Sequence, residues 1–192
     1  AGASPFMTWL ALIKILLHRH TGQEDLVVGA PVSGRDHPDL EDQVGFYVNM
    51  LPLRDTVRGD MSGRAVIDAI RENLTEALRH QAYPFDRLVE ELNLPRDMGR
   101  NPLFDVVFSF KDAEPAGAGL AGLRTAPFDF PVSVSRFDLT FFVVDQPDGS
   151  ADFSLEYCPD LFDHERISRM ADHFIRLAEL LGARPDRPIG EL

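Results

Sequence analysis

The segment VGFYVNMLPLR, residues Val44–Arg54, predicts a β-strand that carries one polar side chain within an apolar run. Its large apolar residues alternate to both sides, so we expect both faces of this strand to be covered. The polar residue is Asn49, whose buried amide needs partners for two donors and one acceptor. Leaving such groups unpaired costs roughly 1–3 kcal/mol, so residue type alone favours an asparagine bound to neighbouring backbone.

Patterns on both sides of this strand predict further helices and strands. Ser4 and Ser62 are in position to cap helices, Pro84 opens a shorter one, and Asp163 caps the last, which Gly182 is expected to stop. The turn sequence PDG at 147–149 predicts a hairpin. Predicted helices cover 6–17, 62–78, 84–92 and 163–181, and predicted strands cover 26–29, 44–54, 103–110, 137–145 and 151–158. This order predicts a layered α/β unit with a sheet covered by helices.

Composition excludes several classes of function. The net charge of −12 argues against nucleic-acid binding, which needs a basic surface to neutralise phosphates. The first apolar run stops at His18–His20, short of the roughly 20 residues that span a bilayer, so we predict no membrane segment. A basic start typical of a signal peptide is absent, and Cys158 is the only cysteine, which excludes an internal disulfide. We expect a cytoplasmic protein.

Two stretches resemble known motifs, but their surroundings exclude the corresponding sites. GAGLAG at 117–122 matches G-x-G-x-x-G, but Pro115 lies before it and Pro127 and Pro131 follow, where a dinucleotide site needs a strand and then a helix. Ser33 lacks the G-x-S-x-G pattern of a nucleophile elbow. We find no paired nucleophile and base, no zinc spacing and no phosphate loop. The residues alone predict an α/β module without a complete catalytic constellation.

Five sequence blocks nevertheless resemble condensation domains of non-ribosomal peptide synthetases, in the order and spacing of that family. The family patterns are G-x-P-V-x-G-R, G-F-F-V-N-T-x-x-x-R, H-Q-D-x-P-F-E, R-D-x-S-R-N-P-L-F and S-K-F-D-L. The matching blocks are GAPVSGR at 29–35, the segment at 44–54, HQAYPFD at 80–86, RDMGRNPLF at 96–104 and SRFDL at 135–139. Departures are small: Met50 replaces a threonine, Ala82 an acidic residue and Gly99 a serine.

The resemblance implies a fold and a boundary. Condensation domains resemble chloramphenicol acetyltransferase and consist of two lobes, so we expect a chloramphenicol acetyltransferase-like half-fold with a mixed sheet covered by helices. The family's H-H-x-x-x-D-G motif lies on the first lobe and is absent from this sequence. Residues 1–184 are therefore interpreted as the C-terminal lobe, and 185–192 as the start of an interdomain linker.

The resemblance also implies a reaction and partners. The family transfers an aminoacyl or peptidyl group from one carrier domain's phosphopantetheine thioester to the amine held by another, in peptide antibiotic biosynthesis. Without the histidine motif the chain is expected to be inactive alone, with no catalytic residue, metal or directly bound cofactor. The implied partners are the N-terminal lobe, donor and acceptor carrier domains, and an adjoining adenylation domain.

Residue roles follow from the matched blocks. Asn49, Gly45 and Tyr47 match positions lining the substrate tunnel, and the loop at 29–43, with Pro31, Ser33 and Arg35, matches its floor. Residues 113–135 correspond to a latch that reaches the first lobe. Interlobe or structural roles are implied for Arg54, Pro84, Phe85, Asp97, Arg100, Asn101 and Asp138.

Three alternatives remain open. An epimerisation domain shares the fold, although its equivalent block reads more like G-W-F-T than GFYVN at 45–49. A catalytically silent relative could recruit a partner enzyme, as recruitment domains of glycopeptide assembly lines do. A free-standing acyltransferase is the third, which the linker-like tail disfavours.

Overall fold

The computed structural model describes residues 2–94, 99–113 and 134–192. Its strands are β1 (Asp25–Val32), β2 (Asn49–Thr56), β3 (Val106–Asp112), β4 (Leu139–Asp145) and β5 (Ala151–Tyr157). Its α-helices are α1 (Pro5–Thr21), α2 (Gly63–Arg79), α3 (Phe85–Leu92) and α4 (His164–Ala183), with 3₁₀ turns at Pro38–Leu40 and Ile189–Glu191.

The strands form one mixed sheet in the order β2-β1-β3-β4-β5. The outer pairs, β1 with β2 and β4 with β5, are antiparallel, whereas β3 runs parallel to both β1 and β4. Parallel neighbours need a crossover connection, and α2 and α3 lie in the connection between β1 and β3. The predicted fold class, an α/β unit with a mixed sheet covered by helices, is confirmed.

Helix α1 lies at the centre of the helical layer, in contact with α2, α4 and β1. It starts as predicted, with the Ser4 hydroxyl accepting a hydrogen bond from the Met7 amide at 3.3 Å, and ends at Gly22, whose φ of 70° favours glycine. Every residue from Leu10 to Leu17 is buried. Across the described part of the chain, no helix has the length and apolar character to cross a membrane.

One charged residue sits inside this apolar helix and was not predicted. Lys14 is fully buried, and its Nζ donates to the Leu53 carbonyl at 2.7 Å and forms an ion pair with Asp55. The second oxygen of Asp55 accepts from Asn73 Nδ2 at 2.6 Å. Burial lowers the pKa of Lys14, and the neighbouring Asp55 charge opposes that shift. This network joins α1, β2 and α2.

The C-terminal third follows the predicted order with two corrections. The hairpin turn is as predicted, with Gly149 at φ 85°. Gly182 does not stop α4, because φ is not positive there and the helix continues to Ala183. Asp163 occupies the N-cap position but makes no capping hydrogen bond with its side chain.

The prediction that Val44–Val48 is a strand covered on both faces is wrong. Strand β2 begins at Asn49, opposite Val32, and β1 offers no pairing partner beyond that point. The preceding residues are exposed: Val44 by 104%, Phe46 by 89% and Val48 by 46%. Alternating large side chains predict a strand only where a neighbouring strand is available to pair with it.

The last residues lie against the rest of the chain. Ile189 is fully buried and its amide donates to the Met61 carbonyl at 2.8 Å. Arg64 Nε is 2.7 Å from Asp186 Oδ1. The assignment of residues 185–192 to the start of a linker stays a prediction.

A close contact between backbone and ring joins β1 to the segment before β3. The Phe104 ring lies so near Gly29 that a Cβ at this position would be 2.3 Å from Cε2 of the ring. Gly29 is paired with Val107 across the β1–β3 junction. The glycine therefore allows Phe104 to cover the sheet where its parallel part begins.

We predict that Gly29→Ala destabilises the chain by about 1–3 kcal/mol, because the added methyl overlaps the Phe104 ring. Phe104→Leu should restore part of that loss in the double variant, as measured by urea unfolding. The matched control is Gly182→Ala, whose Cβ meets nothing within 4 Å. Gly182 lies in the last turn of α4, where glycine is less favourable than alanine by at most roughly 0.5–1 kcal/mol, so this variant should keep or slightly gain stability. Equal effects of the two alanines would contradict the packing argument.

Candidate functional site

Asn49 is bound by backbone on all three of its polar positions. Its Nδ2 donates to the carbonyls of Gln81 at 2.9 Å and Tyr83 at 2.8 Å. Its Oδ1 accepts from the Phe85 amide at 3.0 Å. These bonds attach the turn after α2 and the start of α3 to the first residue of β2. Asn49 therefore positions the HQAYPFD block, and one Oδ1 lone pair remains for another donor.

The start of α3 is held between this amide and an aromatic cluster. Pro84 is the N-cap, and the Asn49 side chain satisfies the amide of Phe85, the first helical residue. The Phe85 ring is 5.4 Å from that of Phe104, which is 5.9 Å from that of Phe137. Three matched blocks and the strand that contains Asn49 thus meet at one place.

A half-open apolar cavity of about 300 Å³ lies beside this junction. It is enclosed by the edge strand β2, the end of α2, and α3. Its lining residues are Met50, Leu51, Pro52, Ala77, His80, Tyr83, Phe85 and Leu88. The cavity is at the small end of the range for ligand pockets, and it is next to the one polar side chain that heads β2.

The loop between β1 and β2 is fixed by its own contacts. Gly34 has φ 64°, and a Cβ there would be 1.9 Å from the Tyr47 carbonyl oxygen. The Arg35 guanidinium lies 4.5 Å from the centre of the Tyr47 ring and donates to the carbonyls of Leu40 and Gly45. The Tyr47 hydroxyl donates to Gln43 at 2.7 Å.

Several predicted site residues gather in this loop. Gly45, Tyr47 and Arg35 contact one another, and Ser33 Oγ accepts from the Arg35 amide at 3.4 Å. Pro31 lies at the end of β1, exposed and opposite Met50. The loop presents Val44, Phe46 and Val48 to solvent, as described above. The predicted tunnel and floor residues are therefore neighbours, and Asn49 is the first residue after their loop.

A second polar group lies before β3 and β4. Arg100 forms an ion pair with Asp105, and Asn101 is half-buried beside them in sequence. Burial raises the pKa of Asp138, the nearby Asp105 carboxylate raises it further, and Arg100 opposes both effects.

Two predicted site residues are not part of these groups. Arg54 forms a bidentate pair with Asp25, at 2.8 and 2.7 Å, five residues along β2 from Asn49 and thus roughly 16 Å away. Asp97 lies outside the described residues, as do most of the predicted latch at 113–135 and the rejected glycine motif at 117–122.

Sequence reasoning missed the residues that hold the site together. Phe104 and Gly34 act through close contact with backbone, and Asn49 binds carbonyls at positions 81 and 83, which carry no sequence signal. Within the described residues, no group of three or more His, Cys, Asp or Glu side chains is placed to hold a metal. The arrangement there places the Asn49 amide beside a half-open apolar cavity. It does not pair a nucleophile with a base.

The chain belongs to the condensation-domain family of non-ribosomal peptide synthetases, since the model of the condensation domain matches residues 2–192. It is 39% identical over 191 residues to bacitracin synthase 3 of Bacillus licheniformis and 40% identical over 185 residues to tyrocidine synthase 3 of Brevibacillus parabrevis. The matches cover 100% and 96% of this chain, and 3% of each synthase. The chain thus spans a small part of the curated relatives it matches.

A solved structure has the same fold. The complex of the X-domain and OxyB from teicoplanin biosynthesis superposes with a TM-score of 0.89 at 29% identity. The alignment covers 100% of this chain and 43% of that one. The resemblance deduced from the five sequence blocks is confirmed.

We predict that Asn49→Ala destabilises the chain by about 1 kcal/mol, since one half-buried amide donor and two carbonyls lose their partner. Asn49→Asp keeps the acceptor for Phe85 but sets a carboxylate against the carbonyls of Gln81 and Tyr83. It should be the less stable variant at pH 7 and should gain stability on acidification, when the carboxyl can donate. Urea unfolding at pH 7 and pH 5 tests this, and faster amide exchange at Phe85 in both variants is expected. An Asp variant as stable as the parent would contradict the described bonds.

We predict opposite pH effects for two carboxylates. Because the folded-state pKa of Asp138 is raised, its stabilising contribution is present below the unfolded pKa and is lost as pH rises through the folded value. Asp138→Asn should therefore gain melting temperature relative to the parent as pH rises from about 3.5 to about 6.

The matched control is Asp148→Asn. Hydrogen bonds from the Ser150 hydroxyl and amide lower the pKa of Asp148, so its contribution is present above the unfolded pKa and is lost on acidification. This variant should lose melting temperature relative to the parent over the same rise in pH. The same sign for both variants would refute the assignment.

Proposed function

We propose that this chain is the C-terminal lobe of a condensation domain that forms an amide bond between two carrier-bound substrates. The supporting observation is the family match over residues 2–192, together with coverage of less than half of the solved X-domain chain. In this proposal the substrates arrive on phosphopantetheine arms, and no cofactor binds the lobe directly. The domain works in the cytoplasm, beside an adenylation domain.

The chemistry divides between the two lobes. The acceptor amine attacks the thioester carbonyl, the carbon–sulfur bond breaks, and the amine loses a proton. The imidazole that would accept the proton or stabilise the developing charge belongs to the H-H-x-x-x-D-G motif, which this sequence lacks. This chain positions the substrate. Asn49 holds the start of α3, and its remaining Oδ1 lone pair can accept a hydrogen bond from the attacking amine.

The surface that meets the N-terminal lobe includes the exposed apolar residues of the loop before β2. Val44 and Phe46 stand almost fully in solvent on a loop whose shape is fixed by Gly34, Arg35 and Tyr47. Solvent-exposed apolar and aromatic side chains beside a candidate site are typical of protein interfaces. We assign this loop to the floor between the lobes, and residues 113–135 to the latch.

We predict that the isolated chain gives no amide product with carrier-bound donor and acceptor thioesters, and that adding the separately produced N-terminal lobe restores turnover. Phe46→Asp should lower the affinity of the two lobes by at least about tenfold, since it places a charge in an apolar contact. The free energy of unfolding of the Phe46→Asp chain should differ from that of the parent by less than about 0.5 kcal/mol, because the Phe46 side chain is 89% exposed.

The control is Leu161→Asp, a 57% exposed leucine in the turn before α4. Titration of labelled N-terminal lobe measures the affinity, and product analysis by mass spectrometry measures turnover. Turnover by the isolated chain would overturn the division of labour. Unchanged affinity in Phe46→Asp would overturn the assignment of the loop.

A second candidate is recruitment of a partner enzyme without catalysis. It is favoured by the fold match to the teicoplanin X-domain, which was solved in complex with OxyB. The two functions separate in the assay above, because a recruitment domain gives no amide product even when both lobes are present.

A further inference from the structure

A second cleft lies far from Asn49, between the end of α1 and the middle of α4. Its volume is about 580 Å³, within the range of small-molecule sites. Four basic side chains and four leucines line it. These are Arg19, His20, His173, Arg176, Leu16, Leu177, Leu180 and Leu192.

The charge of this cleft is opposite to that of the chain. The sequence carries 31 acidic residues against 19 lysines and arginines, yet neither Asp nor Glu is among the residues lining the cleft. Arg166 adds a further positive charge close to His20. The nearest acidic residues on α4, Asp172 and Glu179, lie with Arg176 in an adjoining groove. Asp172 and Glu179 offset part of the charge of Arg176, and a bound anion would offset the charge of the other basic groups.

Two histidines face each other in the cleft. His173 Nδ1 and His20 Nε2 are 3.3 Å apart, a distance that suits one shared proton and not two. Burial lowers the pKa of His20, and the nearby His173 and Arg166 lower it further. Each ring keeps its other nitrogen for a ligand. An anion beside the rings would favour the form in which the pair holds one proton between the two facing nitrogens.

Arg19 is already held in place. Its Nη1 donates to the carbonyls of Ile189 at 3.0 Å and Gly190 at 2.8 Å, which leaves Nε and Nη2 for a ligand. A guanidinium fixed in this way loses little side-chain entropy when it binds an oxyanion. The leucines offer an apolar surface next to the charged groups.

We propose that this cleft binds a small oxyanion, phosphate or carboxylate, that carries a short apolar body. The arginines and the histidine pair, which shares one proton, hold the charged group, and the leucines contact the apolar part. The ligand is a separate molecule from the carrier-bound substrates of the proposed function, because the cleft shares no lining residue with the cavity beside Asn49. Binding is linked to protons and strengthens as pH falls through the histidine range.

The proposal is tested by calorimetric titration of the 192-residue chain with phenyl phosphate and with inorganic phosphate at low salt. Phenyl phosphate should bind several-fold tighter than inorganic phosphate, and both should bind more weakly at pH 8 than at pH 5.5. NMR titration should show the pKa of His20 rising when phenyl phosphate is present. These measurements do not depend on amide condensation, so they test the anion site even if the proposed function is wrong.

Arg176→Gln and His20→Gln should each weaken binding about tenfold, the usual loss for one charge-assisted hydrogen bond. Both residues are exposed, so the variants should keep the parent's melting temperature. The control is Arg87→Gln, which removes the same charge from α3, where Arg87 is 63% exposed beside Glu90. Equal weakening by the control would show only non-specific charge attraction and overturn the site, as would absence of saturable binding at pH 5.5.

Discussion

The buried ion pair between Lys14 and Asp55 is the constraint on which the packing of the chain depends. It fixes the rotation of α1, whose other buried faces are apolar and would tolerate small shifts. It also holds β2 from the helical side, and Asn73 of α2 binds the same carboxylate. Removing one partner of such a pair costs about 3–5 kcal/mol, because the other charge stays buried without compensation. The positions of three elements are thus tied to one charge.

The candidate site inherits its geometry from that constraint. Because β2 is held in place, its first residue, Asn49, is held as well. Its three hydrogen bonds then fix the start of α3 relative to β2. The aromatic contact of Phe85 with Phe104 then extends it to the segment before β3. Matched sequence blocks that are far apart in the chain thus meet through the bonds of Asn49 and the ring contacts of Phe85, Phe104 and Phe137.

Local signals in the sequence predicted local structure well. The caps at Ser4 and Ser62 and the turn at 147–149 involve residues close in sequence, and their chemistry is readable there. Lys14 was missed because its partner is 41 residues away. The exposed segment at 44–48 was misread because side-chain alternation reports shape and not whether a neighbouring strand exists. The resemblance named candidate site residues, and the bonds of Asn49 to the carbonyls of Gln81 and Tyr83 required coordinates.

The loop that presents Phe46 obtains its shape entirely from contacts within this chain, through Gly34, Arg35, Gln43 and Tyr47. A protein that binds this loop meets a surface whose shape is held by these contacts. Little backbone entropy is lost on contact, so the encounter is limited by orientation and not by folding of the loop. A partner can therefore bind to this surface and dissociate from it while the loop keeps its conformation.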